Sequence, residues 1–509
     1  MVFPDPSHAP LPLVPTPASA QRGEGRLPLT SMTRIVGEAT DAPVLIDAVA
    51  GRCGIRPEIT SDQPQPGDIA LRIDAGVAET GGYTLSVADG VEIVGADDAG
   101  LFYGIHTLLQ LLGEGEEGWG WQRAEISDAP RFSYRGVMLD VVRRFYPVSE
   151  VKTVIDRAAA LKFNHLHLHL TDDQGWRLQI DSWPLLTEKA STTSAGGDAG
   201  GFYTKDDYRE IVAHAASRHI TIVPEIDLPG HTHAIGVAYP DLVEDPVISD
   251  ALAQSQAELG QDLPVAGVPF TGWGVGHSSV RIRQERTYDF VRDVLTELSE
   301  LTPGPYLHIG GDESHGTSAE DFAYFVARVS AMVQELGKTP IAWHEAGAVK
   351  DIAAGTIGQF WGSLKPTDAH AAEAAHFVER GGALILSPSD AAYLDMKYDA
   401  DFPLGLAWAG LVDLRRAYDW DAAEVIDVPT EAIAGVEAPL WAETVRDLSD
   451  AEQLMYPRIA AIAEQAWTSP ETPERTWESF RARLGALAPL WQADGIRFHP
   501  TAEIDWSTR

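Results

Sequence analysis

Short apolar runs alternate with longer amphipathic stretches along most of this chain. Before residue 125 the runs are brief. Residues 44–48 and 69–73 read as strands, and 83–87 and 91–94, joined by Ala-Asp-Gly, read as a hairpin. A helix follows, with Leu101, Ile105, Leu108, Leu109 and Leu112 on one face. GEGEEGWGW (113–121) then breaks the pattern and reads as a linker. Residues 1–125 are therefore expected to form a small α+β domain, its first 20 residues an extended, Pro-rich lead-in.

From about residue 131 the rhythm becomes regular. Apolar segments begin at GVMLDVV (136–142) and NHLHLHLT (164–171), then TIVPEIDL (221–228) and PYLHIGG (305–311). TPIAWHE (339–345), TIGQFWG (356–362), ALILSPS (383–389) and GVEAPLWAE (435–443) complete the set. Helix patterns lie over 149–162, 205–218, 286–301 and 318–336. About eight strands alternating with helices argue for a parallel sheet. Their number and span predict that 130–509 is a (β/α)8 TIM barrel, so the fold class is α/β with an α+β domain in front. No strand leads into a nucleotide-binding glycine pattern, and no internal repeat of solenoid spacing is present.

A TIM barrel carries its chemistry at the C-terminal ends of its strands. Those ends hold Arg143, Asp172–Asp173, Asp227–His231, Asp312–Glu313, Trp343–His344, Trp361 and Trp441–Glu443. The stretch before the last strand adds Tyr393, Asp395 and Trp408. Trp and carboxylate recur, which suits a neutral, polyhydroxylated ligand: aromatic faces cover sugar C–H faces and carboxylates accept from hydroxyls. The charge agrees. With 38 Lys+Arg against 75 Asp+Glu the formal charge is −37, which excludes nucleic acid and anionic membrane surfaces as partners. The single cysteine, Cys53, excludes an intramolecular disulfide. No apolar run is long enough to span a bilayer. The Pro-broken start lacks the basic, unbroken pattern of an export signal, so a cytoplasmic location is expected.

HIGGDESH (308–315) is the strongest candidate for chemistry. Two glycines turn the chain tightly and deliver Asp312 and Glu313 at a strand end. Adjacent carboxylates repel, so one is expected to stay protonated and the other ionised. HLHLHL (165–170) places His165, His167 and His169 on one strand face. With His231, His233 and Asp227 they fit either a metal site or a hydrogen-bonded polar layer inside the barrel. The second reading is preferred, because these histidines lie before the strand end. His231 is suited to tuning a proton donor, and Arg143 to donating in pairs to vicinal hydroxyls.

These motifs together resemble the β-N-acetylhexosaminidases of glycoside hydrolase family 20. The resemblance runs from about residue 20 to 509 through RGVMLDVVRRFYP, NHLHLHLTDDQGWRLQIDSWP, PEIDLPGH, YLHIGGDESH, YLDMKYD and VEAPLWAET. It implies a retaining, exo-acting hydrolase that releases terminal N-acetylglucosamine or N-acetylgalactosamine from β-glycosides and chitooligosaccharides. In it Glu313 would be the general acid/base, and Asp312 would orient and charge-stabilise the substrate's 2-acetamido group, whose oxygen is the nucleophile. Tyr393 would hold that oxygen. Trp343, Trp361 and Trp441 would wall the pocket, Arg143, Asp395 and Glu443 would bind hydroxyls, and Trp408 would stack on the next sugar. Asp172 and His231 would support Glu313. No metal or other cofactor is implied, and the partner is an oligosaccharide substrate. Many relatives have His where this chain has Arg144. The competing readings are a metal-dependent barrel hydrolase and a sugar-binding protein without turnover.

Overall fold

A computed structural model describes residues 10–37, 40–77, 79–115 and 118–506. The barrel consists of eight parallel strands: β1 (Tyr134–Asp140), β2 (His165–His169), β3 (Thr221–Glu225), β4 (Tyr306–His308), β5 (Thr339–Trp343), β6 (Ile357–Phe360), β7 (Leu384–Leu386) and β8 (Ile433–Leu440). They pair in sequence order and β8 closes on β1. Every residue of β1 and β2 is buried, as expected where helices cover one face of a parallel sheet and side chains fill the other. Helices Val148–Ala160, Lys205–Ala216, Glu285–Leu301 and Ala319–Glu335 surround the strands. Thr204 and Asp207 cap the second of these in a reciprocal box.

The strand ends are held by side chains as well as by ladders. Asp140, at the end of β1, accepts the backbone N–H groups of Val142 and Arg143 at 2.8 and 3.0 Å. Its other oxygen accepts that of Ala442, just past β8, at 3.1 Å. One buried carboxylate thus fixes the seam where the barrel closes, beside Arg143 and Trp441.

The preceding domain is a mixed sheet. Its strands run in the order Ser19–Pro28, Gly118–Asp128, Tyr83–Val87, Val91–Gly95, Ile69–Ile73, Arg34–Val36, Glu58–Thr60. Two sequence expectations fail here. Residues 44–48 lie in a helix, Ala42–Cys53, and not in a strand. Its buried positions are Ala42, Leu45, Ile46 and Val49, a helical spacing that a five-residue window is too short to reveal. Pro43 stands at its first turn, and Gly54 ends it in the left-handed conformation. The 113–121 segment is a hairpin, not a linker: Leu112–Gly115 pairs with Gly118–Asp128, and Leu112 faces the fully buried Trp121. Residues 116–117 of that segment lie outside the described residues. So do residues 1–9 of the lead-in, whose remainder docks on the barrel. Leu11, Leu13 and Val14 are buried there, and Thr16 binds Glu464, itself paired twice with Arg483 at 2.6 and 2.9 Å.

A buried ion pair ties the two domains together. Lys162, just before β2, donates to Asp128 at 2.9 Å and to the Tyr83 hydroxyl at 2.8 Å. The Trp467 indole N–H reaches the same carboxylate at 3.0 Å. Among the described residues no helix is long and apolar enough to cross a membrane.

Candidate active site

The turn after β4 places the two adjacent carboxylates. Gly310 and Gly311 have φ of 68° and 103°, and a Cβ on Gly310 would fall 1.7 Å from Asp227 Oδ1. Only glycine lets the backbone pass there. The Gly311 N–H donates to that same oxygen at 3.1 Å. Glu313 then takes φ of +47°, a conformation that costs a non-glycine residue energy and is held where the surroundings enforce it. Its side chain is 29% exposed, that of Asp312 only 9%. Burial and then the Glu313 charge, against the pull of His231, push the Asp312 carboxyl up to about 6.

Below this turn lies a layer in which histidines and carboxylates alternate. Glu437 accepts from Tyr134 at 2.6 Å and from Gln359 at 2.6 Å, and sits 2.9 Å from His167 Nδ1. His167 Nε2 meets Glu225 at 3.1 Å, and Glu225 meets His169 Nδ1 at 2.5 Å. His169 Nε2 lies 2.7 Å from Asp172, whose other oxygen is 3.0 Å from His231 Nδ1. His231 Nε2 then points at Glu313, 3.5 Å away, with Asp312 at 3.9 Å. Burial opposes charge on these imidazoles. The carboxylates outweigh it, holding His167 up at about 9 and His169 and His231 well above their usual range. Burial likewise opposes ionisation of Asp172, yet Arg143, 2.8 Å away, and His231 hold it well below the carboxylate norm. The ring nitrogens of His167 and His169 are thus engaged by carboxylates, the polar-layer arrangement. His165 instead stacks on Tyr134 at 4.0 Å, below the layer.

An aromatic cup stands above. Ring centroids run from Trp343 to Trp441 (6.1 Å), Tyr393 (6.4 Å), Trp408 (5.9 Å) and Trp361 (5.9 Å). Trp343 is fully buried at its base, its indole N–H donating to Glu225 at 2.8 Å. Trp408 stands 55% exposed at the rim. Arg143 lies over Trp441 at 5.1 Å, and its Nε has no hydrogen-bond partner among the described residues. Both Asp395 oxygens are buried and likewise unpaired. Burial and the Glu443 charge hold the Asp395 carboxyl well above the usual range, and burial does the same to the Tyr393 phenol. The cup therefore combines apolar faces with convergent polar groups, as small-molecule sites do.

The catalytic-domain model of glycosyl hydrolase family 20 matches residues 132–470, and that of the family's domain 2 matches residues 11–129. The chain belongs to glycosyl hydrolase family 20. It is 36% identical over 505 residues to a β-N-acetylhexosaminidase of Cellulomonas fimi, covering 97% of each chain. Among solved structures, a family 20 β-N-acetylglucosaminidase superposes with a TM-score of 0.90 at 53% identity, over 97% of this chain and 99% of that one. The Streptomyces plicatus N-acetyl-β-hexosaminidase, solved in complex with thio-NAglucal, gives a TM-score of 0.89 at 41% identity, over 100% of this chain and 99% of that one.

In this family 20 chain the fold gathers Arg143, Asp172, His231, Asp312, Glu313, Tyr393, Asp395, Glu443 and the four tryptophans around one cup. It leaves His165 against Tyr134 below the cup, turns His233 Nε2 to the Val268 carbonyl at 2.8 Å, and adds residues the sequence did not point to. Glu225, Glu437 and His308 belong to the buried layer. Glu225 shares a strand face with Asp227, two residues on, a period that was available in TIVPEIDL. Glu345 follows Trp343–His344 at the end of β5 and accepts the Trp361 indole N–H at 2.9 Å. Burial and then the Asp312 charge hold its carboxyl well above the usual range. Glu345 lies one residue past the Trp343–His344 strand end, within reach of the same strand-end rule. Arg144 turns away to Glu150 (3.4 Å) and Tyr146.

Proposed function

We propose that this glycoside hydrolase is an exo-acting, retaining β-N-acetylhexosaminidase whose nucleophile is the substrate's own 2-acetamido oxygen. The observation that carries this reading is the placement of Asp312 and Glu313 on one turn at one side of the cup. An enzyme nucleophile needs two carboxyl groups flanking the bond at about 5–5.5 Å, and inversion needs them further apart. Neighbours on one turn are poorly placed to straddle a sugar ring. A nucleophile carried by the sugar removes the requirement, and its attachment gives it a high effective concentration.

In this mechanism Glu313 gives its proton to the glycosidic oxygen as the C1–O bond breaks. The acetamido oxygen closes on C1, held by the Tyr393 hydroxyl, and Asp312 stabilises the positive charge spreading over the oxazoline ring. Water then attacks C1 from the face the leaving group vacated, passing its proton to Glu313, and the β configuration is retained. Trp361 and Trp441 surround the terminal sugar, and Trp343, fully buried, closes the base of the cup beneath it. Arg143, Asp395 and Glu443 take its hydroxyls, which supports removal of end residues, and Trp408 at the rim offers its face to the next sugar. Asp172 and His231 hold Glu313 in place. Aryl N-acetylglucosaminides and N-acetylgalactosaminides test the activity, and the thiazoline analogue of the cyclised intermediate tests the mechanism. Strong thiazoline inhibition, a first-formed β-product by NMR and inert plain β-glucosides are expected. Fast cleavage of a plain β-glucoside, or an α-product at early times, would overturn the mechanism.

A further inference from the structure

Outside the sugar site, a second constellation lies behind the Trp361 wall. His344 opens the short helical turn His344–Ala348 after β5, and His370 and Glu373 lie one turn apart on the helix Asp368–Glu379. One ring nitrogen of each histidine and one Glu373 oxygen fall within 4.8 Å of one another. His344 is 1% exposed, and neither of its ring nitrogens has a hydrogen-bond partner among the described residues. Its Nδ1 lies 3.3 Å from Glu345 Oε2. Its ring packs against Phe360, Trp361 and His370 at 5.0, 5.5 and 4.9 Å. An unpaired imidazole in such a place costs free energy. His370 and Glu373 are half-buried, so the cluster has a solvent-facing side and a path of entry.

We propose that His344, His370 and Glu373 form a structural binding site for a divalent transition metal, with zinc as its natural occupant. Two imidazoles and one carboxylate are the donor set that zinc takes when a fourth position is left to water, and imidazole disfavours calcium and magnesium against zinc. Bonds of about 2.0–2.1 Å bring tetrahedral donors to roughly 3.4 Å apart, against the 4.8 Å within which these three atoms already lie. Both ring nitrogens of the buried His344 are free of hydrogen bonds among the described residues, so one is available to ligate. The bound ion would clip the helix Asp368–Glu379 to the end of β5, behind Glu345 and Trp361. It takes no part in glycoside cleavage.

Untagged full-length protein, dialysed against a chelator and then against buffer, is titrated with Zn²⁺ in a calorimeter and with Co²⁺ in a spectrophotometer. Wild type is expected to bind one tight equivalent, with the visible bands of low-coordinate cobalt and a rise in Tm. His370→Ala and Glu373→Gln are each expected to weaken that equivalent by more than the ~10–100-fold that loss of an outer-shell partner costs. Both sit on a half-exposed helix face, and an unchanged Tm of the metal-free forms shows that they fold. No tight equivalent in wild type, or one that both variants keep, would overturn the site.

Discussion

Asp312→Asn separates the roles a buried carboxylate can play in this site. The substitution keeps the shape and removes the charge. If Asp312 faces the oxazolinium-type transition state at about 4 Å, an effective dielectric constant near 20 makes that charge worth about 4 kcal/mol. At 1.36 kcal/mol per decade, kcat falls about 10³-fold, with KM nearly unchanged because the charge develops only during reaction. The pH profile supplies an independent reading. Burial and Glu313 push Asp312 up to about 6, so in the free enzyme about one molecule in ten carries the needed anion at pH 5. With an activated aryl leaving group, wild-type kcat/KM should therefore rise about fivefold between pH 5 and 6 and about twofold more above pH 6 before it levels off. The Asn variant should lose that limb. Stability moves the other way. A carboxyl raised from 3.8 to about 6 contributes stability that is complete below pH 3.8 and lost as the pH rises through 6. At pH 7 the loss amounts to at most about 3 kcal/mol, and Asn escapes it, so the variant should melt no lower than wild type. A variant changed only in KM, or one that keeps the acidic limb, would refute the assignment.

Glu313→Gln cannot deliver a proton, so turnover of chitobiose should fall about 10²–10⁴-fold while calorimetric binding of N-acetylglucosamine persists; near-normal kcat on chitobiose would remove Glu313 as the acid. Asp172→Asn strips the shared partner from Arg143, His169 and His231, whose contacts lie at 2.8, 2.7 and 3.0 Å. Urea unfolding should show a loss of about 3–5 kcal/mol, the usual cost of breaking a buried pair, with kcat reduced in the fraction that stays folded. Lys162→Met should cost a similar amount by leaving Asp128 buried without its cation. The pair sits before β2, at the barrel end away from the site, so kcat per folded molecule should stay unchanged, and a specific loss of kcat would contradict that placement.

The eight barrel strands were legible because parallel strands buried on both faces read as unbroken apolar runs with their polar residues gathered at one end. That same asymmetry exposed Asp312, Glu313, Trp343, Trp361 and Trp441, whereas Tyr393 and Trp408 lie in the stretch before the last strand. The small domain was less readable. Its helix Ala42–Cys53 reads as a strand when only its most apolar five residues are counted. Gly113, Glu114, Gly115 and Gly118 carry weak strand signals, yet they pair because Leu112 and Trp121 bring the two segments together across the sheet. The buried layer was hidden for another reason. Glu225, His308 and Glu437 come from three different strands, and each alone looks like a polar intrusion into an apolar run. Their meaning is in the pairing across the barrel, which no single segment contains. Trp343 shows the opposite limit. Its position at a strand end was plain, but only the fold shows that it is fully buried and spends its N–H on Glu225.

The layer and the cup also differ in charge, and that difference bears on catalysis. In the layer each carboxylate has a cation beside it: Glu437 and Glu225 share His167, Glu225 and Asp172 share His169, and Asp172 adds Arg143 and His231. Glu225 and Asp172 are accordingly held well below the carboxylate norm. Above the layer the balance reverses. Asp227, Asp312, Glu345, Asp395 and Glu443 are all raised, burial being the largest cause in each and a neighbouring carboxylate adding to it. The layer is a rigid, ionised foundation that can hold His231 charged against Glu313. The cup is an excess of acidic groups short of cations, a poor host for an anion and an indifferent one for a neutral sugar. A positive charge born at C1 and spread over the acetamido group is what such a cup favours, and it exists only as the bond breaks. Interactions of that kind raise kcat without tightening substrate binding. Among these raised carboxyls Asp312, at about 6, is ionised at neutral pH, and its charge stands where a neutral substrate turns transiently cationic.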